Sequence, residues 1–322
     1  MKVLVTGGAG YIGSVTVRAL QNDGHDVVVY DNLVYGHKEA VSTPLIIGDL
    51  LDIEFLRKNV VGSFDAVIHF AAYALAGESM QNPYKFFQGN IQGGLNLLEF
   101  MKERKIPNII FSSTCAIYGA PEKLPVSENE SKKPESVYGE SKLMFENILD
   151  WYEKIHGIKH INLRYFNACG ATIDGLLGEE HDPETHIIPI AIQTALGKYP
   201  SFKLFGTDYN TPDGTCIRDY IHVLDLAQAH IKALNKIKEP GKSDYFNLGT
   251  GKGYSNREVL DMVQKVSGID IKIKEVKRRP GDPDAIYADN SKAVRELGFD
   301  PKFSDLETIV KTAFSWHKSR QI

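Results

Sequence analysis

Tyr138 and Lys142 stand four residues apart in Tyr138-Gly-Glu-Ser-Lys142, the spacing that sets a phenol and an ammonium on one face of a helix. A lysine cation beside a tyrosine favours the phenolate and draws its pKa from about 10 toward neutrality. Such a phenolate can take the proton of a substrate hydroxyl while a hydride leaves the same carbon for an acceptor. Thr114, closing Ser112-Ser113-Thr114, could relay or orient that proton. Spacing alone proves little among 15 tyrosines, and Tyr199 and Lys203 share it. Pro200 makes that second segment a turn and a strand, so the pair there has no common face.

The acceptor is written into the first thirteen residues. Val3, Leu4 and Val5 make a short apolar run, the pattern of a parallel strand covered on both faces. Gly7, Gly10 and Gly13 follow, and Tyr11 to Leu20 continues with helical periodicity until Gly24. Glycines there permit a tight turn and close approach to a pyrophosphate, whose charge sits at the helix N-terminus. A second apolar run, His25 to Tyr30, ends at Asp31, eighteen residues past Gly13. A carboxylate at that place meets the adenosine ribose and repels a 2′-phosphate, so NAD is expected rather than NADP.

Strand and helix patterns then alternate. Strands are expected at Leu45–Gly48, Ala66–Ala72, Asn108–Ser113 and His160–Asn167, and helices near Ile53–Val60, Tyr84–Arg104 and Val137–His156. This is a Rossmann-like, doubly wound parallel α/β sheet, whose carboxyl edge carries Asp49, Phe70-Ala71-Ala72 and Thr114. From Ala168 the texture changes, which places an NAD-binding domain at 1–167 and a smaller mixed α/β substrate domain at 168–322, with some later segments returning to the first. In the second part helices are expected at Ile187–Leu196, Leu224–Ile237, Asn256–Val266 and Leu306–His317, with a strand at Phe202–Phe205.

Composition narrows the functional class. The net charge is −4 with acids and bases interspersed, which disfavours a nucleic-acid or membrane-surface binder. Cys115, Cys169 and Cys216 are odd in number and widely spaced, so neither disulfides nor a zinc site is expected, and a reducing cytoplasmic setting is. His156 and His160 have metal-pair spacing, but Gly157 ends the helix between them, and no metal is expected. No Gly-x-Ser-x-Gly elbow supports a serine hydrolase.

Beyond the glycine loop, Asp31-Asn-Leu33, Tyr138 and Lys142, five further stretches carry a resemblance: Ser112–Gly119, Arg164–Ala168, Phe205–Tyr209, Asp213–Val223 and Arg278–Asp282. Through them the chain resembles, end to end, the UDP-sugar 4-epimerases of the extended short-chain dehydrogenase/reductase family. The resemblance implies Tyr138 as base, Lys142 as its electrostatic partner and Thr114 as a hydroxyl touching the sugar. It implies an NAD site lined by Tyr11, Ile12, Asp31, Asn32, Leu33, Asp49, Leu50, Phe70, Ala71, Asn90 and Phe166. For a UDP-sugar it implies Asn167, Arg218 and Arg279 at the diphosphate, Asp282 at the ribose and Phe205 at the uracil. His186, Ile187 and Tyr220 would add substrate contacts. A homodimer through the helices near Tyr84–Arg104 and Val137–His156 is implied as well.

Three positions depart from the family pattern. Tyr73-Ala74-Leu75 lacks a lysine that many relatives carry there, and His186 stands where asparagine is common. Ile286 stands where relatives restricted to unacetylated sugars often have tyrosine, so room for a 2-acetamido group is expected. Two rival readings have less support. A dehydratase or decarboxylase shares cofactor and base, but the dehydratases follow the strand-end hydroxyl with an Asp-Glu pair, and here Cys115-Ala116 follows Thr114. A non-catalytic dinucleotide sensor would not need both Tyr138 and Lys142.

Overall fold

Val3, Leu4 and Val5 have no exposed surface, because successive side chains of a central strand enter opposite cores. Val3 and Val5 pack with Val27, Val29 and Ile68, and Leu4 with Val67, Ile109 and Phe111. The computed structural model describes residues 1–239, 241, 243–279 and 282–320. Pro280 and Gly281, inside the stretch Arg278–Asp282, lie outside the described residues.

In chain order the first elements are β1 (Lys2–Thr6), α1 (Tyr11–Asn22), β2 (Asp26–Asp31), β3 (Leu45–Ile47), α2 (Ile53–Asn59), β4 (Ala66–His69), α3 (Ala76–Ser79) and α4 (Pro83–Phe86). Next come α5 (Gly93–Arg104), β5 (Asn108–Thr114), α6 (Val137–His156), β6 (Lys159–Tyr165), β7 (Asn167–Cys169), α7 (Ile187–Ala195) and β8 (Phe202–Phe205). The chain continues with β9 (Ile217–Arg218), β10 (Tyr220–His222), α8 (Val223–Lys236), β11 (Asp244–Leu248), β12 (Tyr254–Ser255), α9 (Asn256–Ser267), β13 (Ile273–Val276), β14 (Ala285–Ile286) and α10 (Leu306–Ser319).

Seven parallel strands form one sheet in the order β3-β2-β1-β4-β5-β6-β11, a Rossmann-like doubly wound fold. Helices α1 and α8 pack together on one face, while α2, α5 and α6 cover the other. A second core gathers Ile188 and Ile192 of α7, Leu204 of β8, Val259 and Val263 of α9, and Ile309 and Val310 of α10. Beside it lie three small sheets, β7 with β10, β8 with β13, and β12-β9-β14. Among the described residues no helix is long and apolar enough to cross a membrane.

Several expected boundaries move, and three of the differences have a clear local reason. The strand expected over Ala66–Ala72 stops at His69, because Phe70 N and Ala71 N both donate to Thr6 O, at 2.8 and 3.0 Å, and curl the chain off the ladder. The helix expected over Tyr84–Arg104 is interrupted by a π-helical stretch, Phe87–Gln92, of the kind that displaces one residue out of register. The strand expected over His160–Asn167 ends at Tyr165, and Asn167 begins β7 by donating from its backbone N–H to Asp219 O at 3.0 Å.

Candidate active site

Strand order reverses at β1, which sends β2 and β3 to one side and β4 onward to the other. Ligands of such sheets lie in the crevice at that reversal. Gly7 has φ 74° there, and a Cβ on it would strike the backbone of Phe70 and Ala71. One on Gly13 would strike Gly7 O, whereas one on Gly10 would meet only Gly7 O at 3.5 Å. Gly7 and Gly13 are therefore packing glycines, and Gly10 leaves the loop's outward side bare. Gly10 also caps α1 without any side chain over the first N–H groups, which leaves them for an anion.

Asp31 closes β2 and accepts hydrogen bonds from Ala9 N at 2.9 Å and Leu33 N at 2.8 Å. Burial pushes its carboxyl up against those two donors. Beside it Asn32 donates to an Asp49 carboxylate oxygen at 3.0 Å, and the other Asp49 oxygen accepts from Leu51 N at 2.8 Å. The bare glycine turn, the open helix start and the carboxylate at the next strand end fit a dinucleotide. Leu50, Phe70, Ala71 and Ala72 lie along the same edge, and the Phe70 ring packs on His230 at 4.7 Å. Tyr11 turns its hydroxyl away to donate to Gly170 O at 2.6 Å.

On the other side of the reversal, β5 ends at Thr114 and α6 starts one residue before Tyr138, with Ser136 accepting from Gly139 N at 3.1 Å as its cap. Helix α6 brings the Tyr138 phenol to the Thr114 hydroxyl, which favours the phenolate. Lys142 is 3% exposed, donates to Ser112 O at 2.7 Å and lies over the Phe111 ring. The protein's own groups do not bring the tyrosine toward neutrality. Burial pushes Tyr138 up to about 12 against the lowering effect of the Thr114 hydroxyl, and pushes Lys142 down to about 7 against the Glu146 charge. A lysine on a helix face was expected to stay a full cation; in this core desolvation outweighs that.

The expected UDP-binding groups gather on the rim of the second core. Arg218 donates to Ile217 O at 2.7 Å and to Asp282 Oδ1 at 2.5 Å, and Tyr209 donates to Asp282 Oδ2 at 3.4 Å. The Arg279 guanidinium lies 4.1 Å from the centre of the Phe205 ring. The charge of Arg218 reaches Cys115, the residue after Thr114, so rim and catalytic strand face one another. Asn167 donates its side-chain amide to Asp219 O at 2.9 Å and pairs in register with Tyr220. The Tyr220 hydroxyl, in a side chain only 2% exposed, has no hydrogen-bond partner among the described residues. Ile286 is buried against Phe166, Ile117 and Tyr118.

Two expected contacts look elsewhere. Asn90 accepts from Tyr73 N at 2.8 Å and donates to Tyr73 O at 3.0 Å and Ser141 Oγ at 2.9 Å, so both of its donors hold the loop after β4 against α6. His186 makes ion pairs with Glu179 at 2.6 Å and Glu184 at 3.3 Å, and Ile187 begins α7 directly after it.

Sequence reasoning also missed what holds the catalytic helix. Glu146, buried one turn beyond Lys142, accepts from Ser113 Oγ at 2.6 Å, Arg164 Nε at 2.9 Å and Arg164 Nη2 at 2.6 Å. Arg164 also donates to the Tyr118 hydroxyl at 3.0 Å, which donates to Asn247 Oδ1 at 2.7 Å. The four-residue repeat Tyr138, Lys142, Glu146 was the available signal.

A profile of the NAD dependent epimerase/dehydratase family matches residues 3–249. The chain belongs to this family. It is 48% identical to the UDP-glucose 4-epimerase of Streptococcus mutans, over 99% of this chain and 97% of that one. It superposes with TM-score 0.93 on UDP-glucose 4-epimerase from Brucella ovis in complex with NAD, 47% identical, covering 97% of each chain. With the UDP-Glc/GlcNAc 4-epimerase of Campylobacter jejuni the TM-score is 0.86 at 42% identity, covering 99% of each.

Proposed function

We propose that this family member interconverts UDP-glucose and UDP-galactose by inverting sugar carbon 4, with NAD as a recycled cofactor. The observation that carries the reading is the gathering of Tyr138, Thr114 and buried Lys142 at the sheet edge beside the glycine loop, near Arg218 and Asp282. NAD, when bound, accepts and returns the hydride and brings a positive nicotinamide that favours the Tyr138 phenolate. Gly7, Gly10, Gly13, Asp31, Asn32 and Leu33 hold its adenosine and pyrophosphate side, while Asp49, Leu50, Phe70, Ala71, Ala72 and Phe166 line the rest.

Tyr138 Oη takes the proton of the carbon-4 hydroxyl, with Thr114 Oγ1 orienting that hydroxyl, and gives the proton back after the 4-keto sugar has turned over. Lys142 supports the phenolate from below. Arg218 and Arg279 grip the diphosphate by forked hydrogen bonds, Phe205 faces the uracil and Asp282 the ribose. Firm hold on UDP and a loose hold on the hexose let the keto sugar present either face. Cys115 and Ala116, following Thr114, offer no acid and base for water elimination, which favours this reading over a dehydratase. Ile286, smaller than tyrosine, extends the proposal to UDP-N-acetylglucosamine and its galacto epimer.

The proposal takes residues 1–167 as the NAD-binding part, with β11 joining its sheet, and 168–322 as chiefly the substrate part. It places the enzyme in the cytoplasm. It also takes the enzyme as a homodimer, supported by Met144, Trp151 and Ile155 in a seven- and four-residue stripe along α6 and by Tyr84 nearby, all exposed. Reaction of UDP-galactose in D2O, read by proton NMR, tests the chemistry. Internal hydride return leaves protium at carbon 4 of the product; deuterium there, or at carbon 5, would mean another route.

A further inference from the structure

Glu179, His181, Glu184 and His186 come from the long loop between β7 and α7. One ligand atom from each lies within 4.8 Å of all the others, the one such grouping of three or more metal-ligating side chains among the described residues. We propose that these four residues form a binding site for a divalent transition-metal ion of the zinc class. The proposed epimerisation gives no role to Glu179, His181 or Glu184, and the resemblance implies no more than a substrate contact for His186, so the site does not rest on that reading.

The donor set and its spacing carry the proposal. Zinc takes imidazole nitrogen and carboxylate oxygen at about 2.0–2.2 Å, which sets the edges of a tetrahedron at roughly 3.4 Å. With Glu184 Oε2 as its ligand atom, two of the ion-pair distances lie near that edge: His181 Nδ1 to Glu179 Oε1 is 3.3 Å and His181 Nδ1 to Glu184 Oε2 is 3.7 Å. The third, His186 Nδ1 to Glu179 Oε1, is 2.6 Å and would open slightly around an ion. With neutral imidazoles, two carboxylates balance one divalent charge.

An independent observation points into the same space. The Glu184 side chain is 1% exposed, yet its Oε2 makes no hydrogen bond among the described residues and meets only His181 Nδ1 as an ion pair at 3.7 Å, and His181 Nδ1 likewise has ion-pair contacts but no hydrogen bond. Buried polar atoms left this way are costly unless something meets them. Glu184 Oε1 is fixed by Thr185 N at 2.7 Å and His186 N at 2.9 Å, which aims Oε2 inward. The surroundings are rigid as well. Trp316 Nε1 donates to Glu179 O at 3.1 Å, and the His181 ring meets the Tyr11 ring edge-on at 6.4 Å. An ion here would tie the loop, the start of α7 and the glycine-loop helix to one point.

The test uses full-length protein without a histidine tag, cleared of metal with a chelator and dialysed, then titrated with Zn2+ by calorimetry and with Co2+ by visible absorption. One equivalent of Zn2+ per chain, a tetrahedral Co2+ band and a melting temperature that rises with Zn2+ are expected. His181→Gln and Glu184→Gln should each weaken binding at least about 100-fold, more than loss of an outer partner does. Melting in chelator shows whether each variant is folded, and the partly exposed His181 keeps the test available if a Glu184 variant is not. Absence of stoichiometric binding by the parent protein, or binding unchanged in both folded variants, would overturn the proposal.

Discussion

Replacing Glu146 by leucine should unfold this protein far more easily than the loss of one surface-accessible carboxylate would. Glu146 and Arg164 are each 1% exposed, and the glutamate satisfies two Arg164 donors and the Ser113 hydroxyl. In the variant Arg164 keeps the Tyr118 hydroxyl, while Nε and Nη2 face apolar surroundings. Removing one partner of a buried pair costs about 3–5 kcal/mol, because an uncompensated charge stays behind. The double variant Glu146→Leu, Arg164→Met removes that charge, and replacement of a whole pair by apolar groups is close to neutral. The Ser113 hydroxyl loses its acceptor in both variants, which adds about 1–3 kcal/mol to each and cancels between them. The double variant should therefore be more stable than the single one by about 3 kcal/mol or more. Urea unfolding at pH 7 measures both, and the midpoint should fall in the single variant and partly recover in the double. Turnover should fall in both, because α6 holds Tyr138 against Thr114 through this contact. A single variant within about 1 kcal/mol of the parent, or a double variant less stable than the single, would refute the reasoning.

Other perturbations test separate parts of the site. Lys142 drops from its ordinary 10.5 to about 7 on burial, so the folded state binds fewer protons than the unfolded state between those values, and its penalty on stability fades as pH rises through that window. The stability of Lys142→Met relative to the parent, measured on NAD-free protein by urea unfolding, should therefore decline by about 2 kcal/mol from pH 7 to pH 9; a pH-independent difference would mean an ordinary lysine. Gly13→Ala should reduce the NAD carried by purified protein at least about tenfold, since its Cβ would strike Gly7 O; unchanged NAD content would contradict that packing role. Ile286→Tyr should lower kcat/KM for UDP-N-acetylglucosamine by about 10–200-fold while UDP-glucose turnover persists, and equal losses on both sugars would remove Ile286 as a selectivity position.

The parts of this molecule legible in sequence are those governed by short-range rules. Apolar runs at Val3–Val5 and Val27–Tyr30, a glycine turn and a carboxylate at the strand end have a period and a spacing that fold locally. Helix α6 could be bounded to the residue, since Ser136 caps its start and Gly157 closes its end with φ 72°. What could not be read depends on pairs far apart in the chain. Asn90 of the π-helical stretch meets Tyr73 of the loop after β4, Arg164 of β6 meets Glu146 of α6, and the two-residue strands β9, β12 and β14 exist only through one another. The Tyr138 and Lys142 pair was legible as geometry, but its protonation was not, because burial depends on the whole fold. The grouping of Glu179 with His186 is a loop geometry, and loops carry no period.

The most direct test of the account is to incubate the purified protein with UDP-galactose, without added reductant, and follow UDP-glucose together with nicotinamide absorbance. Conversion with no net accumulation of NADH, nearly abolished by Tyr138→Phe, is the predicted result. Stoichiometric NADH with an oxidised sugar, or full activity in Tyr138→Phe, would contradict it.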